Sequence, residues 1–186
     1  MATSAPKGFV PARHMSGGTN ASRTKLYETA GNRASTLGVG DPVVLSSGYI
    51  VRQTNASADS TNYIGVVRAV YDSNKRPLTF SQPTRPPYLN VSVAGWVDVI
   101  DDARMSYIVE CDTSVGPSNI GAVAWVSAVA VNSATGISQY TVTLTSAAGG
   151  TPQWRVIGLA PTDAVTTAAG FANNRIEVLA INGLLK

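Results

Sequence analysis

Side chains that carry chemistry are scarce in this sequence: its 186 residues include one cysteine, one histidine and only 13% charged residues. Cys111 cannot form an internal disulfide, and together with His14 it supplies too few ligands for a structural zinc site. Globular domains average about 25% charged residues, so about half of the usual ionic surface is missing. The composition therefore excludes the disulfide-rich and zinc-finger classes of small protein.

Long apolar runs are lacking as well. No stretch approaches the roughly 20 apolar residues that span a bilayer, and the first residues contain no apolar core of a secretory signal. The sequence therefore predicts neither a membrane span nor a membrane partner.

Patterns typical of enzymes are also missing. A Ser-His-Asp triad would have to use His14, which lies in an irregular segment, and no Gly-x-Ser-x-Gly elbow occurs. Cys111 lies between Glu110 and Asp112, whose charges should raise its thiol pKa and leave it unreactive. No glycine-rich loop is placed between a strand and a helix to hold a phosphate. We expect no catalytic residues, no cofactor and no enzymatic activity.

One group of carboxylates is dense enough to raise the question of a metal. Asp98, Asp101 and Asp102 offer the oxygen ligands that calcium prefers, but the segment lacks the glycine-punctuated spacing of calcium loops. Turn formation explains these residues more simply, so no metal site is predicted.

The charge that is present is uneven along the chain. The first 40 residues hold five basic residues and one acidic residue, a net +4, whereas the other 146 hold nine and ten, a net −1. Residues 1–37 are rich in Gly, Ser, Thr, Ala and Pro, and their few large apolar residues follow neither the helical nor the strand period. We interpret 1–37 as an extended, mostly irregular N-terminal arm that packs on a partner, with an untethered tail as the alternative. Its charge is too sparse to predict direct nucleic-acid binding.

The rest of the chain, 38–186, consists of short apolar segments separated by turns. A weak helical pattern occurs at 162–172. Valines at spacing three would also suit a helix over 122–131, but the valine content of that segment favours a strand. We predict an all-β body, a small β-barrel or sandwich of eight to ten strands, with a division into two subdomains near 81–88 left open. The predicted strands are 42–45, 49–51, 62–71, 89–99, 107–111, 122–131, 140–145, 154–159 and 175–181. Within 89–99, alternation places Leu89, Val91 and Val93 on one face, and within 175–181 it places Ile176, Val178 and Ala180 on one face.

Several segments resemble one known family. Gly-Phe-Val-Pro-Ala-Arg-His-Met-Ser-Gly-Gly at 8–18, Gly-Asp-Pro-Val at 40–43, Tyr-Ile-Gly-Val-Val at 63–67, Trp-Arg-Val-Ile at 154–157 and Arg-Ile-Glu-Val-Leu at 175–179 occur in this order. This order of segments resembles that of the capsid decoration proteins of tailed bacteriophages, which are also called cement or head auxiliary proteins. The resemblance implies the small β-barrel of that family. The chain is longer than the minimal members of that family.

The resemblance implies a structural virion protein. Such a protein binds the outer surface of a phage capsid and cements adjacent subunits of the major capsid protein, which stabilises the shell against the pressure of packaged DNA. It also implies a homo-oligomer, a homotrimer rather than a homodimer.

In this interpretation the arm is a capsid-binding clamp. Deletion of 1–37 should then abolish capsid binding and leave a folded body. Apolar side chains would anchor the arm and basic side chains would meet an acidic shell. The predicted anchors are Phe9, Val10, Met15, Leu26 and Tyr27, and the predicted charge contacts are Arg13, Arg23, Lys25 and Arg33.

A glycan- or receptor-binding β module of a virion fibre or tail is the alternative. Trp96, Trp125 and Trp154, with Tyr88, could stack on sugars. Because all three tryptophans lie beside apolar strand residues, we favour core positions for them.

Overall fold

The computed structural model describes residues 7–17, 23–54, 62–79, 85–113, 115–127, 131–145, 152–160 and 174–181. This part of the chain is all-β, as the sequence predicts, with a single 3-10 turn at Pro117–Asn119. The segment 162–172, for which a helix was considered, lies outside the described residues. The strands are β1 (Val10–His14), β2 (Thr24–Thr29), β3 (Pro42–Ser46), β4 (Tyr49–Arg52), β5 (Tyr63–Tyr71), β6 (Gly95–Ile100), β7 (Met105–Cys111), β8 (Val123–Ser127), β9 (Thr141–Thr143), β10 (Trp154–Leu159) and β11 (Asn174–Ala180).

The first sheet contains a closed barrel. Its strand order is β1-β7-β11-β10-β8-β9, and a parallel pairing of β9 with β7, at Val142 and Cys111, closes the last five strands into a ring. Alternate residues of β7 point inward, so that Tyr107, Val109 and Cys111 are buried in the barrel core. The predicted inward face of β11 is confirmed, since Ile176 and Val178 are fully buried and Ala180 packs against the same core.

The second sheet has five antiparallel strands in the order β2-β6-β5-β3-β4. Val43, Val67 and Val97 are among the residues that form its own core. Gly65 lets β5 approach β6 closely, because a Cβ there would lie 1.9 Å from the carbonyl oxygen of Ile100. The glycine of the Tyr-Ile-Gly-Val-Val segment is therefore required by packing between strands.

The two sheets share buried side chains. Tyr63 and Val66 on β5, with Ile100 on β6, belong to the core of the barrel rather than to that of their own sheet. The chain passes from the second sheet to the first between Ile100 and Met105. The proline-rich stretch 81–88 connects β5 with β6, two paired strands of the same sheet.

The predicted strand over 89–99 begins later than expected. Leu89 is buried and forms a bridge with Leu37, but β6 begins only at Gly95. Val91 and Val93 are 43% and 48% exposed, so the predicted common face is wrong. A turn intervenes: the N–H of Val93 donates to the carbonyl of Asn90, and Ser92 has a φ of 59°. Alternation of residue types cannot reveal a left-handed residue that reverses the chain.

The Gly-Asp-Pro-Val segment forms a buried corner before β3. The Asp41 carboxylate has no exposed surface, accepts a 2.9 Å hydrogen bond from the N–H of Gly38, and lies 3.7 Å from Nε of Arg52. Burial raises the pKa of Asp41 to about 6, although Arg52, the Ser138 hydroxyl and the Gly38 N–H oppose the shift. The Arg52 guanidinium lies 4.3 Å from the ring centre of Tyr140. The corner therefore connects β4 with the segment that precedes β9.

Candidate functional site: the N-terminal arm on its docking surface

The arm contains two strands, and each forms an edge of a different sheet. β1 pairs antiparallel with β7, where Val10 faces Ile108 and His14 faces Met105 with a shift of register between them. β2 pairs with β6 along its whole length, from Thr24 opposite Ile100 to Thr29 opposite Gly95. The arm is extended as predicted, but these segments are regular strands. Strands of five and six residues are too short for periodicity to identify when most of their side chains are exposed.

Phe9, a predicted capsid anchor, lies in the core of the chain's own barrel. Its ring is 4.5 Å from that of Trp154 and meets Tyr107 edge-on at 6.2 Å. The preceding Gly8 has a φ of 64°, and a Cβ on it would lie 2.4 Å from the Cβ of Ser138. The N–H of Phe9 donates to the carbonyl of Gly40 at 3.0 Å. Phe9 is therefore not available to a partner while β1 is docked.

Arg13 binds a largely buried carboxylate on β11. Its Nε and Nη2 donate to the two carboxylate oxygens of Glu177 at 2.7 and 3.1 Å, and this pairing raises the pKa of Arg13. The buried Ser106 hydroxyl lies 2.6 Å from Glu177 Oε1 and also accepts from the N–H of Arg13. Glu177 points away from the barrel core while its neighbours Ile176 and Val178 point into it. The sequence signal that could have indicated this partner is a carboxylate between the apolar residues Ile176 and Val178.

His14 lies between a carboxylate and a hydroxyl, an arrangement not anticipated from the sequence. Nε2 of His14 is 3.0 Å from Oδ2 of Asp102, and Nδ1 faces the hydroxyl and the N–H of Ser16. The order of groups matches a Ser-His-Asp triad, but the N–H groups beside the serine are already used. The N–H of Ser16 faces His14 Nδ1, and that of Gly17 donates to the His14 carbonyl. Neither can stabilise an oxyanion at Ser16, and the contacts hold the end of β1 on the turn after β6.

Asp101 receives the start of β2. Its buried carboxylate accepts a 3.0 Å hydrogen bond from the Tyr27 hydroxyl and lies 3.3 Å from Nε of Arg23. Burial, and secondarily Asp101, raises the pKa of Tyr27 to about 12. The third carboxylate of the cluster, Asp98, pairs with Arg68 at 3.8 Å. Asp98, Asp101 and Asp102 thus each contact a different basic residue. The described residues contain no group of three His, Cys, Asp or Glu placed to hold a metal.

The other predicted arm residues divide into buried and exposed ones. Arg33 is buried, donates to the Thr29 hydroxyl at 2.6 Å and to the Asn90 carbonyl at 2.7 Å, and has a pKa lowered by burial. Lys25 is exposed and lies 5.0 Å from the ring centre of the half-buried Tyr27. The apolar side chains that remain open are Val10, Met15 and Leu26, which are 42%, 45% and 38% exposed.

The aromatic residues considered for glycan stacking lie mostly in the interior. Trp154 is fully buried and Trp125 nearly so, as expected for core residues. Trp96 is half-buried, and Nζ of Lys75 lies 4.3 Å from the centre of its ring. A sugar would have to displace Lys75 from that face. The single cysteine, Cys111, is a buried free thiol whose pKa is raised, chiefly by burial.

Comparison of the chain with protein-family models, with curated proteins and with solved structures finds no match in any of the three. Among the described residues, no helix is both long enough and apolar enough to cross a membrane.

Proposed function

We propose that this chain is a structural virion protein that binds the outer surface of a phage capsid and cements adjacent subunits of the major capsid protein. The observation that carries the proposal is the placement of the arm: Val10 on β1, Met15 just after β1 and Leu26 on β2 are exposed, while Phe9 and Arg33 are buried in the body. Exposed apolar side chains rimmed by polar residues are typical of protein interfaces.

The arrangement suits a bridge between two capsid subunits. Val10 and Leu26 belong to strands of two different sheets, and those sheets share buried side chains at Tyr63 and Ile100. A partner that binds β1 is therefore coupled through a packed interior to a partner that binds β2. Because both strands are already ordered, binding does not have to order them, and this lowers the entropic cost of association.

The surface available to a capsid differs from the predicted one. Phe9 and Arg33 are buried. Arg13 and Arg23 pair with carboxylates of the same chain, but their side chains are still 62% and 66% exposed. We therefore keep the exposed apolar residues, Lys25 and these two arginines as proposed contacts. We propose a homo-oligomer, a trimer rather than a dimer, at the capsid surface.

Single aspartates on the exposed positions test this proposal. Val10→Asp and Leu26→Asp should each weaken co-sedimentation with particles of the same virus's major capsid protein about tenfold or more, which corresponds to about 1.4 kcal/mol of binding energy. Val93→Asp is the matched control, because Val93 is 48% exposed but lies outside the arm. Circular dichroism verifies that all three variants fold. Unchanged sedimentation of both arm variants would contradict the proposal.

Deletion of 1–37 is unsuitable as a test. It removes both edge strands together with the buried side chains of Phe9, Arg33 and Leu37. We expect the truncated chain to lose stability, in contrast to the folded body anticipated from the sequence.

A further inference from the structure

The docking site of β1 is built mostly from the second half of the chain. β1 is the single described strand of the first 100 residues that belongs to the first sheet, and the barrel ring closes through β7, β11, β10, β8 and β9 without it. Removing β1 from this edge would therefore leave every other strand pairing of the ring in place.

The contacts of β1 are specific and lie far away in sequence. Val10 faces Ile108, Arg13 holds Glu177, and the N–H of Met15 donates to the carbonyl of Arg104 at 2.9 Å. Phe9 fills a space beside Trp154 in the barrel core. These contacts combine a buried aromatic ring (Phe9, the aromatic plug), an ion pair and strand pairing. The site is therefore specific for the sequence of β1 and its flanking residues.

We propose that the site also accepts β1 from a second copy of this chain, so that neighbouring copies are joined by exchange of the strand. A second copy is the partner that the site fits, because it carries the same plug, the same arginine and the same pairing edge. Exchange of an identical element between protomers is a low-cost route to oligomers, since it creates no new interface that must be complementary. That the exchange takes place on a capsid rests on the proposed function. The exchange itself depends only on contacts within this chain.

The length of the linker after β1 and the protein concentration decide whether β1 docks on its own chain or on a second copy. Eight residues, 16–23, separate Met15 from β2, and a fully extended segment of that length spans at most about 26 Å. Docking within one chain is favoured in dilute solution, and docking between chains gains as the local concentration rises. Copies held side by side on a shell would be at high local concentration. Pro11 supplies no N–H within β1, which disfavours addition of further strands at that edge.

A disulfide between facing residues tests the exchange. Val10 and Ile108 are direct partners across β1 and β7, the arrangement in which Cα separations suit a disulfide. The full-length V10C/I108C variant is prepared in two forms, one with natural nitrogen and one enriched in ¹⁵N. The two forms are mixed in equal amounts and unfolded. They are then refolded together over a range of protein concentrations, and the disulfide is formed by oxidation after refolding. Mass spectrometry of the linked peptides then shows whether residues 10 and 108 come from one chain or two. Cys111 does not interfere, because it is buried.

The expected result is hybrid-labelled peptide that increases with concentration, up to about half of the linked peptide in an equal mixture. V10C/V93C is the control for random collision, because Val93 is 48% exposed and does not face β1. Hybrid peptide no more abundant than in this control, at every concentration, would overturn the exchange. Co-sedimentation of the same protein with capsids separates the two proposals: hybrid without capsid binding would overturn the proposed function alone, and capsid binding without hybrid would overturn the exchange alone.

Discussion

The two strands of the arm are held in different ways. β2 runs beside β6 with six consecutive residue pairs in unbroken register. β1 has three such pairs and a register shift, and its position is defined by the side chains of Phe9, Arg13 and His14. Backbone pairing tolerates many sequences, whereas side-chain anchoring requires particular ones. We expect β1 to be sensitive to single substitutions and β2 to be tolerant of them.

Loss of the Phe9 side chain should have the largest effect. Phe9→Ala leaves a cavity beside Trp154 and Tyr107, and such truncations typically cost about 3–5 kcal/mol. Urea denaturation measures the loss in the free energy of unfolding. Val10→Ala, at the neighbouring exposed position, should cost far less. Equal effects of the two substitutions would show that side-chain anchoring does not hold β1.

The Asp41 corner should make stability depend on pH. Its loop supplies the Gly40 carbonyl, which accepts a hydrogen bond from the N–H of Phe9, so the corner contacts the residue that precedes β1. The pKa of Asp41 is about 6 in the folded chain and lies near 3.8 when the group is unperturbed, so the folded state favours the protonated form. The stabilisation from this group is complete below about pH 4 and is lost as the pH rises to 6. A shift of this size corresponds to about 3 kcal/mol.

Asp41→Asn removes the titrating group and isolates its contribution. The free energy of unfolding, measured by urea denaturation between pH 4 and 7, should fall less steeply with rising pH in the variant than in the parent chain. An identical slope in both proteins would exclude Asp41 as the source.

Asp101 is the corresponding side-chain contact of β2 and should matter less. Asp101→Asn keeps an acceptor for the Tyr27 hydroxyl but removes the charge beside Arg23, and we expect a loss of about 1–2 kcal/mol in unfolding experiments. Asp98→Asn is the control, because Asp98 on the neighbouring β6 also pairs with a largely exposed arginine but is half-buried, whereas Asp101 is buried. A loss larger than that of Phe9→Ala would reverse the contrast between β1 and β2.

The exposed residues of β2 should contribute least to stability. Leu26→Ala removes a side chain that is 38% exposed, and the free energy of unfolding should change by no more than about 0.5 kcal/mol. A thermal melt is sufficient to verify this. A large drop in melting temperature would mean that Leu26 packs against a partner copy in solution.

The body was largely predictable because its strands carry local patterns. Alternation in 175–181 identified the buried face of β11, and the turn residues before Pro42 and Tyr49 located β3 and β4. Prediction failed for Val91 and Val93, where a left-handed residue at Ser92 ends the alternation. A backbone dihedral of this kind has no reliable signature in residue type.

The arm was the less predictable region because its order comes from distant residues. Its excess of positive charge was visible, but the carboxylates that receive it, Asp101, Asp102 and Glu177, lie more than 70 residues away in sequence. His14 appeared to be isolated for the same reason. The predicted anchors included both the residue that plugs the barrel, Phe9, and residues that stay outside, because composition does not distinguish inward from outward positions on a short edge strand.

The sequence by itself determined the all-β class, most of the strands and the concentration of positive charge in the arm, since each depends on residues that are neighbours in the chain. The tertiary structure decided where the arm lies, which carboxylates neutralise it and which apolar side chains remain exposed. These depend on the free edges of β6 and β7 and on contacts between residues far apart in sequence. Such edges and pockets exist only after the strands have paired.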